Sequence, residues 1–95
     1  QALDFAKHLK EGNNRHIYYS NRSAAYLSKG FFESALKDAE SCLKEKPDWP
    51  KGYARKGAAL HSMKKFAEAI AVYEQGLQLS PDDAGCKKGI EDVKY

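Results

Sequence analysis

Asn21, Lys51 and Arg55 are the most suggestive polar set in this 95-residue chain. A lysine and an arginine four positions apart lie one turn along the same face of a helix. Two cations and an amide supply hydrogen-bond donors and almost no acceptors. Their complement is an anion with several oxygens, such as carboxylates or phosphate. Nothing comparable points to catalysis: His8, His16 and His61 fall on different segments, with no serine or cysteine nucleophile at a strained elbow and no acid pair at a fixed site. Cys42 and Cys86 stand 44 residues apart without ligand-type neighbours, so no metal or other cofactor is implied. Cys42 reads as a small packing residue, and the thiols suit a reducing compartment. The expectation is a binding module and not an enzyme.

What must position the trio is a repeat. Shifting His16–Trp49 onto Pro50–Asp83 pairs Tyr19 with Tyr53, Ala24 and Ala25 with Ala58 and Ala59, Ser28 with Ser62, and Phe32 with Phe66. The match continues through Ala35/Ala69, Glu40/Glu74, Leu43/Leu77, Pro47/Pro81 and Asp48/Asp82, ten identities in 34 places. Ordinary residue frequencies would give roughly two. A period of this length means stacked helical hairpins, in which equivalent positions on successive hairpins point the same way. Asn21 and Arg55 both hold the sixth place of their hairpins, so they belong side by side on adjacent first helices, with Lys51 one turn away. Ala24, Ala54 and Ala58 on the same face leave room for an extended chain.

The hydrophobic period is near 3.6 and is cut by turn residues. One helix is predicted from about His16 to Lys29, ended by Gly30, and a second from about Phe32 to Lys46, limited by Pro47. The pair returns as Pro50–Met63 and Phe66–Leu79, stopped at Ser80-Pro81. Asp48 is placed to help cap the helix that Pro50 opens. The tail from Asp82 offers an acidic start and few aliphatic side chains, as a closing helix requires. Residues 1–12 resemble the second helix of a hairpin whose first helix is absent. The expected organisation is one domain over 1–95: that half repeat at 1–12, complete repeats at 16–49 and 50–81, and a capping helix at 82–95.

Charge and composition exclude several classes. Sixteen Lys and Arg against thirteen Asp and Glu leave a net charge of +3. The basic residues are spread along the chain, so a mixed solvated surface is expected and no nucleic-acid footprint. No apolar run approaches the ~20 residues that span a bilayer, and Gln1–Lys10 carry no signal-peptide pattern. No membrane partner is expected, and the chain reads as cytoplasmic.

The recurring residues, with aromatic Tyr19/Tyr53, small Ser23/Gly57, bulky Tyr26/Leu60, aromatic Phe32/Phe66, Ala35/Ala69 and Pro47/Pro81, resemble the tetratricopeptide repeat. That resemblance implies an all-α right-handed superhelix of antiparallel hairpins with a C-terminal capping helix, its aromatics in the core. Tyr19–Tyr26 and Lys46–Leu60 are similar to the first tetratricopeptide domain of the Hop family of heat-shock organising co-chaperones. Clamp-type domains of that family hold the C-terminal Glu-Glu-Val-Asp of heat-shock chaperones by its carboxylates. The resemblance implies that Asn21 donates to the terminal carboxylate, that Lys51 and Arg55 contact carboxylate and backbone oxygens, and that the 70-kDa heat-shock protein is the partner. The 90-kDa heat-shock protein, with the same terminal residues, stays open as the alternative. In the family, a Lys and an Asn on the first helix of the first repeat complete the clamp, and this chain begins after that helix. Two expectations follow: weak binding by this chain alone, and a homodimer through Leu3, Phe5 and Leu9, which that helix would cover.

Overall fold

A computed structural model describes residues 14–94, which form five helices and no strand. They are α1 (Arg15–Lys29), α2 (Phe32–Glu45), α3 (Pro50–Ser62), α4 (Phe66–Leu79) and α5 (Ala84–Lys94). The half repeat expected at 1–12, and with it the Leu3, Phe5 and Leu9 patch, lies outside the described residues.

The predicted boundaries have visible causes. Gly30 is left-handed at φ 85°, its N–H donates to Leu27 O, and the Phe31 N–H donates to Tyr26 O. This pair of bonds, with the Tyr26 and Phe31 rings 6.2 Å apart, closes α1 in the double-bonded Schellman turn. One repeat later, Lys64 takes the glycine's place at φ 65°, with Lys64 N–H on His61 O and Lys65 N–H on Leu60 O. The residues before Pro47 and Pro81 are extended, Lys46 at φ −145°, ψ 85° and Ser80 at φ −145°, ψ 93°. Proline's ring excludes the helical conformation from its predecessor, so α2 and α4 stop there. Pro50 opens α3 at its first position, where the missing N–H costs nothing. Asp48 does not cap α3, contrary to expectation: the cap position is Trp49, and Asp48 turns back to Lys46, Oδ1 to Nζ 3.6 Å.

Helix α1 packs on α2 and α3 on α4, making two hairpins, while α3 also touches α1, α2 and α5. The first helices α1 and α3 and the final helix α5 thus share a layer. Inside a hairpin the helices are tied by polar contacts. Buried Ser23 donates from Oγ to Ala35 O at 2.8 Å. Arg22 forks onto Asp38, Nε to Oδ2 at 2.7 Å and Nη2 to Oδ1 at 2.9 Å, and gives Nη1 to Tyr18 Oη at 2.7 Å. Asp38 is 5% exposed, so this bidentate grip is what lets a carboxylate lie in the core.

The second hairpin and α5 share a core of Leu60, Ala69, Val72, Tyr73 and Cys86, with Tyr53, Leu77, Ile90 and Val93 packed against it. Tyr73 occupies the space of two missing side chains. A Cβ at Gly57 would lie 2.5 Å from its ring, and one at Gly89 would strike the same ring from α5. Cys42 and Cys86 are fully buried and not disulfide-bonded. Phe66 departs from the expected all-core aromatics: it begins α4 at the edge of the hairpin, 46% exposed, in a T-shaped contact with the His61 ring at 5.6 Å.

Candidate functional site

Arg55 is fixed before any ligand arrives. It is half-buried on α3, and its Nε donates to Ser20 O and Ser20 Oγ on α1, both at 3.1 Å. Ser20 is 1% exposed, so the acceptor is buried between the two hairpins. Neither Nη of Arg55 has a hydrogen-bond partner among the described residues, leaving the outer edge of the guanidinium free to grip an oxyanion. Asn21, the residue next to Ser20, is exposed. The repeat register therefore brings the two hairpins together at Ser20 and Arg55.

Lys51 is exposed one turn before Arg55. The first turn of α3 holds no acidic residue. Lys51 thus adds to the positive end of the helix dipole, which costs the helix a little and raises the local attraction for anions. Lys51 and Arg55 line one open cleft of about 410 Å³ together with Trp49, Pro50, Ala54, Asp83 and Gly85. Asn21, Ala24 and Ala58 are not in its lining; Ala24 and Ala58 are half-buried on α1 and α3. Trp49, the one tryptophan of the chain, stands edge-on to His16 with ring centroids 4.7 Å apart.

Sequence reasoning missed Ser20, Trp49, Asp83 and Gly85. Ser20 carried no signal, since a small polar residue inside a helix does not announce an acceptor for the neighbouring hairpin. Asp83 carried a helix-start signal: its Oδ2 accepts the Cys86 N–H at 3.0 Å, capping α5. His61 is half-buried against Phe66. Among the described residues, no three His, Cys, Asp or Glu converge as a metal site would need, and no helix is long and apolar enough to cross a membrane.

The tetratricopeptide-repeat family model matches residues 50–83, the second hairpin with its flanking turns. The chain is a tetratricopeptide-repeat domain. This domain is 43% identical over 94 residues to the heat shock protein sti1 homolog of Schizosaccharomyces pombe, covering 98% of this chain and 16% of that protein. It is 49% identical over 79 residues to the Hsp70-Hsp90 organizing protein of Triticum aestivum, covering 83% of the chain and 14% of that protein. The chain thus spans about a sixth of the length of these curated relatives. Among solved structures, the second tetratricopeptide domain of human RPAP3, in complex with the HSP70 peptide SGPTIEEVD, superposes with a TM-score of 0.78 at 28% identity. That match covers 84% of this chain and 67% of the other.

Proposed function

We propose that this tetratricopeptide-repeat domain is a non-catalytic interaction module of a co-chaperone, which holds the C-terminal Glu-Glu-Val-Asp tail of a heat-shock chaperone by its carboxylates. The observation that carries the reading is the pairing of Lys51 and Arg55 on one open cleft, with Arg55 anchored to the residue beside Asn21. In this reading Asn21 donates to the terminal carboxylate, Lys51 and Arg55 take carboxylate and backbone oxygens, and Ala24 and Ala58 leave space for the peptide. The tail of the 70-kDa chaperone is the preferred ligand, supported by the peptide in the RPAP3 complex. The 90-kDa chaperone is the second candidate, because it ends in the same residues. Two free buried thiols accord with a cytoplasmic location.

The test is titration of the chain with a peptide ending in Glu-Glu-Val-Asp, as free acid and as C-terminal amide, followed by calorimetry. The amide should bind far more weakly. Charged hydrogen bonds contribute roughly 1.5–3 kcal/mol each, so Lys51→Ala and Arg55→Ala should each lower affinity about tenfold or more with helicity retained. Unchanged affinity in both variants would remove the assignment. Competition between the 70-kDa and 90-kDa tails decides the partner.

A further inference from the structure

The cleft that holds Lys51 and Arg55 is not uniformly basic, for its far wall carries Asp83. That carboxylate is held in place. Oδ2 accepts the Cys86 N–H at 3.0 Å, and the Asp83 N–H donates to Ser80 O at 3.0 Å. The start of α5 is itself pressed on α3: Cys86 Sγ points to Pro50 O at 3.8 Å, and a Cβ added at Gly85 would lie 3.4 Å from Ala54 Cβ. Among the described residues no close ion pair joins Asp83 to Lys51 or Arg55, so all three side chains line the cleft without being tied to one another.

We propose that Asp83 is a specificity-determining residue, selecting acidic-tailed peptides that carry a basic or neutral residue, and rejecting an acidic one, just upstream of the tail. This rests on the clamp reading above. With the peptide's terminal carboxylate at Asn21 on α1, its chain passes Lys51 and Arg55 on α3 and then meets α5. The layer order α1, α3, α5 therefore brings upstream residues to Asp83. A fixed carboxylate there repels a glutamate and attracts a lysine or arginine. At an open site, screened charge pairs of this kind change affinity about two- to fivefold.

The experiment uses three peptides ending in Glu-Glu-Val-Asp with Lys-Lys, Ala-Ala or Glu-Glu in the two preceding places. Each is titrated into the wild-type chain and into Asp83→Asn and Asp83→Ser, using Trp49 fluorescence. Asparagine and serine both retain the helix cap, and circular dichroism checks the fold. The wild type should bind in the order Lys-Lys, Ala-Ala, Glu-Glu, with a total spread of about tenfold. The spread should fall to about twofold in both variants and shrink in high salt. An unchanged spread in the variants overturns the role of Asp83 while leaving the clamp intact. Indifference of the Ala-Ala peptide to C-terminal amidation overturns the clamp, and this role with it.

Discussion

Single side chains here do two separable jobs, bracing the hairpins and lining the cleft. Arg22 and Asp38 belong to the first. Asp38→Ala would strip the guanidinium of its partner at the core's edge, and we expect a loss of about 2–3 kcal/mol in urea unfolding. The buried protic groups give a second prediction. Burial pushes the Cys42 thiol up to about 11 and that of Cys86 up to about 12, the latter helped by Asp83, while burial takes Tyr73 to about 12. Unfolded, the thiols lose protons near 9 and the phenol near 10. Above pH 9 the native state therefore holds more protons than the unfolded chain, so stability is level below that point and falls as pH rises toward 12. Thermal melts from pH 8 to 11 check this, and Cys42→Ala with Cys86→Ala should flatten the fall. The shared face of Lys51 and Arg55 was legible in their spacing and the repeat register. Ser20 was not, because a serine that accepts from an arginine reads, in sequence, like any other small helix residue.

At the level of elements, the two hairpins use one turn with different residues. Gly30 adopts its left-handed conformation freely, whereas Lys64 reaches φ 65° against the crowding of its Cβ. Lys64→Gly should raise stability by about 1 kcal/mol, and Gly30→Ala should lower it by a similar amount, both measured by denaturant midpoint. The glycine turn and the proline stops were readable from single residues, since each acts through its own backbone. The turn at Lys64 is imposed instead by the packing of α3 on α4, and its lysine gives no local sign of it. The failed cap at Asp48 has a related origin: a short acid beside Lys46 had a competing partner.

Across the molecule, Tyr73 couples the last hairpin to α5, and α5 supplies one wall of the cleft. Gly89→Ala would drive a methyl group into the Tyr73 ring. We expect overpacking of about 1–3 kcal/mol in stability. Peptide affinity should fall as well, although residue 89 is outside the cleft lining, because the start of α5 would shift off α3. Calorimetric melting and peptide titration on the same sample test the linkage; a lower melting temperature with unchanged affinity would separate α5 packing from binding. Repeat periodicity made the stacking legible, whereas a cleft wall drawn from the non-repeating tail had no counterpart to align with.

The bond from Arg55 to Ser20 has a genealogical consequence. Its two ends sit at different places in the repeat, the position after Tyr19 in one unit and the sixth place of the next. No unit copied alone contains it. Duplicating or deleting a hairpin within such an array would conserve every helix while rewriting which donor meets which acceptor at each seam. Diversification by whole-unit copying can thus alter ligand choice without first inventing a new fold, and selection would act on the seams.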